Sequence, residues 1–244
     1  MAGVDIVVEG LECRRGDFIL TVDRLSISCG EKVAVLGENG SGKTTFLLAL
    51  AGMLRCRGDV LYNGVRVRDM TLKERARLIS YMPQHPEVSF AYTVFEVVLM
   101  GRYPWFRGGF PGPVDEEATR DVLARFGLGH LSGRRFQTLS GGERRRVLFA
   151  RVVNQGAKVM LLDEPTDMMD VRGALEVMDY IKGFGGTVVA VLHDVNLALR
   201  YFGKAILMRD GRVVYYGDTG EVDDKILADI YGVGFSLGMA YLPG

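Results

Sequence analysis

The 244-residue sequence has no net charge, because thirty Lys and Arg are balanced by thirty Asp and Glu. No positive field recommends nucleic acid, and no acidic tail recommends a basic partner. Long apolar runs are also missing. The longest, around Val159–Leu162 and Val188–Leu192, fall far short of the roughly 20 residues that span a bilayer, so membrane contact is expected only through another protein. Cysteine is scarce: Cys13, Cys29 and Cys56 have no metal-ligand spacing, and an odd count argues against a disulfide framework. All three are expected to be packing thiols. The opening MAGVDIVVEG alternates like a strand and lacks the basic and apolar regions of a signal peptide, so a cytoplasmic chain is expected. No internal repeat or low-complexity segment is visible.

What is present is an ordinary globular composition, enough for one α/β domain or a core with a small lobe. Lys32–Leu36 is a short apolar run that ends in a Gly-rich loop, followed by an apolar helix expected over Thr45–Leu54. Asn63-Gly64 and Asp210-Gly211 each sit between apolar stretches and read as two-residue hairpin turns. Thr71 and Glu74 form a capping-box pattern opening a short helix through Ile79. Pro83, Pro86, Pro104, Pro111 and Pro113 then break the periodicity, which marks the entry to a separate small helical lobe. Helical spacing resumes at Ala118, Val122, Leu123 and Phe126, and again after Gly142. Two buried-type strands, Val159–Leu162 and Thr187–Leu192, flank a further helix. Strands alternating with helices imply a parallel sheet with ligand sites at the strand C-terminal ends.

Gly37-Glu38-Asn39-Gly40-Ser41-Gly42-Lys43-Thr44, continued by Thr45, has the spacing of a phosphate loop. Its glycines let backbone N–H groups converge on an anion, which the dipole of the following helix also favours. Lys43 supplies a point charge to terminal phosphates, and Thr44 a hydroxyl ligand for Mg²⁺. Val159–Leu162 delivers two acids, Asp163 and Glu164, at its end. Asp163 is placed to hold Mg²⁺ through its water shell, and Glu164 to accept a proton from an attacking water.

Leu139-Ser140-Gly141-Gly142-Glu143, with the phosphate loop and Asp163-Glu164-Pro165-Thr166, resembles the ATP-binding cassette (ABC) proteins from about Ile6 to Gly217. The resemblance implies an α/β fold: a P-loop NTPase core with a mainly parallel sheet, an N-terminal antiparallel β subdomain, and a helical subdomain at about 85–155. All of it would form a single ABC ATPase domain over 1–244. It implies that ATP and Mg²⁺ are bound, and that Ser140, Gly141 and Gly142 face the nucleotide of an opposite subunit. Gln84 matches a glutamine that touches the metal or attacking water. His193 matches a histidine on the γ-phosphate, and Asp170 an aspartate at the dimer interface. The implied partners are a second copy, transmembrane permease subunits and, indirectly, a substrate-binding protein, with no nucleic acid. The implied location is peripheral on the inner face of the membrane.

The sequence departs from the family pattern in three places. Arg14 and Arg15 stand where an aromatic usually lies under adenine, leaving Phe18 or an arginine for that role. Two residues after Glu143, where the family commonly has glutamine, the sequence has Arg145 within the run Arg144-Arg145-Arg146, which is expected to be a solvated helix face. Met168-Met169 precede Asp170. Gly101-Arg102-Tyr103-Pro104 and Asp194–Ala198 look like importers of iron-siderophore, haem or cobalamin chelates, with docking expected between Gln84 and Pro113 through Arg102, Trp105, Phe106 and Arg107. The alternative is a soluble ABC-type ATPase not coupled to transport.

Overall fold

The computed structural model describes residues 4–84 and 91–232; Pro86 and the first residues of the expected helical lobe lie outside these. The N-terminal strands β1 (Ile6–Arg15) and β2 (Phe18–Ile27) pair antiparallel. β3 (Lys32–Leu36) leads through the Gly-rich loop into α1 (Lys43–Leu50), which starts two residues earlier than its apolar pattern suggests and stops before Gly52, at φ 65°. β4 (Cys56–Tyr62) and β5 (Val65–Arg66) form the expected hairpin. Asn63 and Gly64 take φ values of 48° and 80° there, the left-handed conformation that a tight hairpin turn demands. The Thr71–Glu74 capping box opens α2 (Leu72–Leu78), and β6 (Ile79–Met82) follows directly.

Three helices, α3 (Val94–Leu99), α4 (Pro113–Arg125) and α5 (Gly141–Asn154), come next and pack on one another. The chain then alternates through β7 (Val159–Asp163), α6 (Val171–Gly183), β8 (Thr187–Val191) and α7 (Val195–Tyr201). β9 (Lys204–Arg209) and β10 (Arg212–Asp218) close the Asp210-Gly211 hairpin, and α8 (Asp224–Tyr231) ends the described chain. No helix among the described residues is long and apolar enough to cross a membrane.

The ten strands form one sheet in the order β5-β4-β1-β2-β10-β9-β3-β8-β7-β6. β9, β3, β8, β7 and β6 run parallel, and β1, β2, β4 and β5 make the antiparallel end. Period-2 alternation divides the parallel strands between two cores. Val33, Val35, Val159, Leu161, Val189 and Val191 face α1 and the antiparallel strands. Ala34, Leu36, Met160, Leu162, Val188 and Ala190 face the helices on the other side. Both faces are therefore covered, which explains why these strands read as continuous apolar runs.

The thiols correct the expectation from cysteine parity. Cys13 and Cys56 are register partners across β1 and β4, with Cα atoms 4.4 Å apart, and form a disulfide; Cys29 is free and exposed. Their pairing is set by the sheet, which a residue count does not see. The bond closes a loop with a sequence separation of 43, for which loss of unfolded-state entropy stabilises a fold by about 2 to 4 kcal/mol. Replacing both cysteines by serine is expected to lower the unfolding free energy in urea by that amount. Reductant should shift the wild-type midpoint and leave the double variant unmoved; a wild-type midpoint indifferent to reductant rules the bond out.

Candidate nucleotide site

The site lies where β3, β8 and β7 end side by side. Gly37 follows β3 with φ 147°, and a Cβ there would sit 2.2 Å from the Met208 carbonyl oxygen, so only glycine fits. The loop then curls over Lys43, whose buried ammonium donates to the carbonyls of Gly37 at 2.7 Å and Glu38 at 2.8 Å. Burial pushes the Lys43 pKa down, while the charges of Glu164 and Asp163 oppose the shift. No side chain caps the N-terminus of α1, which leaves the helix dipole open to an anion.

Asp163 ends β7 with no exposed surface, and neither of its carboxylate oxygens makes a hydrogen bond of ordinary geometry. Burial pushes its pKa up; the Thr44 hydroxyl beside it pulls the other way. The hydroxyl of Ser41, in the loop itself, is likewise buried and unpartnered. Buried oxygens without partners fit a cation that arrives with its own ligands. Among the described residues no group of three or more His, Cys, Asp or Glu is arranged to hold a metal ion by itself. Thr44 and Asp163 offer oxygen donors of the kind a hard divalent cation takes when phosphate and water supply its other ligands.

Glu164 has φ 51°, an unusual left-handed conformation for a residue with a long side chain. Its amide donates to the Val191 carbonyl at 3.1 Å, and its carboxylate lies 2.5 Å from Nε2 of His193, which follows β8. A cleft of about 570 Å³ brings Asn39, Gly40, Gly42, Lys43, Thr44 and Thr45 together with Gln84, Glu164 and His193. Arg15 and Phe18 line the same cleft. Phe18 packs on the loop, its ring 2.7 Å from where a Cβ on Gly42 would stand, whereas Arg14 points away to Glu12.

Other expected site residues lie outside this cleft. Ser140, Gly141 and Gly142 open α5, where Ser140 accepts from the Glu143 amide at 3.3 Å and Glu143 accepts from the Ser140 amide at 2.8 Å. This is a capping box, and its Ser-x-x-Glu signal stands in the sequence. Asp170 caps α6, accepting from the Gly173 amide at 2.8 Å. Met168 folds over the Gly141-Gly142 turn, its carbonyl oxygen 2.9 Å from where a Cβ on Gly142 would lie.

The arginine run is not a uniform solvated face. Arg144 is exposed, but Arg145 is buried and donates to the carbonyls of Pro83, Gln84, Asp163 and Glu164. Arg146 bridges the Phe126 carbonyl and Glu176. The expected docking residues also divide. Arg102 pairs with Asp115 at 3.1 Å in a largely buried ion pair, and Trp105 Nε1 donates to the Gln155 carbonyl at 2.7 Å, so both hold the structure together.

Known proteins resemble this chain throughout. The family model described as ABC transporter matches residues 20–167. The hemin import ATP-binding protein HmuV of Gloeobacter violaceus is 40% identical over 213 residues, covering 83% of this chain and 77% of its own. A solved inward-facing structure of a putative metal-chelate type ABC transporter superposes with TM-score 0.80 at 28% identity, covering 93% of this chain and 89% of that one. A dimeric bacterial ABC transporter cassette superposes with TM-score 0.77 at 25% identity, covering 88% of this chain and 98% of that one. With more than half its length matched, and with its Gly-rich loop and Glu164 lining one cleft, the chain belongs to the ABC transporter family.

Proposed function

We propose that the chain is the ATP-hydrolysing subunit of a membrane importer for a metal chelate, working as a dimer on permease subunits. The observation that carries the hydrolytic reading is the convergence of Lys43, Thr44 and the Glu164–His193 pair on one cleft, with Asp163 buried behind it beside the Thr44 hydroxyl. The importer reading takes its support from the similarity to hemin and metal-chelate transport proteins. Nothing in these comparisons favours a soluble ATPase uncoupled from transport.

In this reading the loop from Gly37 to Thr45, including Glu38, Asn39, Gly40, Ser41 and Gly42, wraps the phosphates. Lys43 exchanges its two carbonyl partners for phosphate oxygens. Thr44 and Asp163, with Gln84 nearby, hold Mg²⁺, which when bound neutralises charge on the β- and γ-phosphates. Gln84 orients a water, Glu164 takes its proton, and His193, already hydrogen-bonded to Glu164, contacts the γ-phosphate. Arg15 or Phe18 borders the base. The Ser140–Gly142 turn lies outside the cleft, so a second copy must supply it, with Asp170 at the junction. The helices between about 85 and 155 form the moving lobe.

A groove of about 700 Å³ beside that lobe suits a permease element. Its walls carry Met53, Leu72, Tyr103 and Phe106, with Lys73 and Arg75 at hand. Met53, Leu72 and Tyr103 are apolar side chains left exposed, and an interaction surface accounts for such a patch.

Three outcomes are expected. Lys43→Ala should weaken Mg-ATP binding about ten- to hundredfold by loss of a charge-assisted contact; calorimetry showing unchanged affinity removes the phosphate-loop assignment. Glu164→Gln should bind ATP yet lose roughly 10²- to 10⁴-fold in turnover, and a wild-type steady-state rate would contradict the role of Glu164. Leu72→Glu with Tyr103→Ala should reduce recovery of the chain in the membrane fraction on co-expression with its permease, while ATP binding persists. Equal recovery moves the docking surface elsewhere.

A further inference from the structure

We infer that Arg145 is a positioning residue for hydrolysis: one buried guanidinium locks the Gln84 turn and the Glu164 peptide together, so that the two side chains meeting the attacking water keep a fixed relation. The inference rests on the hydrolytic reading above and assigns a role to a residue outside the phosphate, metal and water contacts.

The geometry begins with the sheet. β6 and β7 are parallel neighbours whose pairing runs from Ile79 opposite Val159 to Met82 opposite Leu162 and then stops. Beyond that point β6 runs on to Gln84 and β7 to Glu164 without a further ladder pair between them. Arg145 reaches both segments from α5 and joins them by hydrogen bonds of its own. Nη1 donates to Pro83 at 2.9 Å and to Gln84 at 2.7 Å, Nε to Glu164 at 3.1 Å, and Nη2 to Glu164 at 2.5 Å and to Asp163. Every acceptor is a backbone carbonyl. Only the rigid, five-donor fork of arginine serves both strand ends at once; lysine presents a point charge and glutamine a single amide group.

Two further observations link this fork to chemistry. Glu164 is in the left-handed region at φ 51°, a conformation that persists only where its surroundings hold it. Its amide is held by the Val191 carbonyl and its carbonyl by Arg145 and the Asp167 amide. Arg145 therefore helps fix the peptide that aims the carboxylate at His193. Its charge also has no carboxylate partner within hydrogen-bonding distance among the described residues; the fields of Asp167, Asp163 and Glu164 sustain it against burial. An arginine whose purpose was an ion pair would be placed otherwise.

The test uses the full chain and measures single-turnover hydrolysis, KM, Mg-ATP affinity and thermal unfolding for Arg145→Lys and Arg145→Met. A displacement of the water-handling groups predicts a fall in kcat of about 100-fold for either variant, with KM and affinity within about threefold of wild type. In a Glu164→Gln background the same substitutions should cost less than about threefold, because groups acting as one unit are not additive. Should Arg145→Lys fail to fold, Arg145→Met carries the same readouts. A wild-type kcat in a folded variant, a loss confined to KM and affinity, or an equal loss with and without Glu164 overturns the assignment. A Glu164→Gln chain that hydrolyses at wild-type rate overturns instead the hydrolytic reading beneath it, so the two failures are distinct.

Discussion

At the end of β7 the chain carries two acids, Asp163 with no exposed surface and Glu164 on the wall of the cleft, and a buried charge is costly unless opposite charges or donors stand close. Lys43 approaches from one side and Arg145 from another, and the field of the acids sustains both against their own burial. Much of the architecture can be traced to this cluster. Lys43 must come from a helix entered directly after β3, two strands away from β7 in the sheet. Arg145 must come from α5, which lies on the opposite face. The intervening β8 contributes His193 from its own end. Parallel strands bring these termini to one edge, and the cleft forms there because that is where the strands stop.

The local parts of this arrangement were legible because their signals are contiguous. Gly37–Thr44 sits between an apolar strand and a helix, and Asp163-Glu164 follows an apolar run; neither needs tertiary information to be recognised. The Asn63-Gly64 and Asp210-Gly211 turns were equally plain, since both pairs adopt positive φ. Arg145 was hidden by its neighbours: three arginines in a row look like a solvated face. Helical phase separates them, because Arg145 shares a stripe with Leu148, Phe149 and Val152, three, four and seven residues on, all buried. The disulfide was hidden more deeply. The β1–β4 register slips by one residue between Glu9 and Glu12, and without that slip Cys13 would face Arg55 in place of Cys56.

The signature turn and the cleft belong to different surfaces of the chain. Met168 ties the Gly141-Gly142 turn to the loop that ends at Asp170, while Arg145, three residues past that turn, reaches back to the acids. The start of α5 is thus braced against β7 and the segment that follows it. A displacement of the turn carries the loop with it, and a two-copy assembly would feel both together.

The Cys13–Cys56 bond has a topological consequence. β2, β3, the Gly-rich loop and α1 all lie between those two positions, so the bond closes a covalent ring around the segment that enters the cleft. A backbone cut anywhere inside that ring leaves a single molecule, with both pieces still joined through sulfur. They part only when a reductant opens the ring.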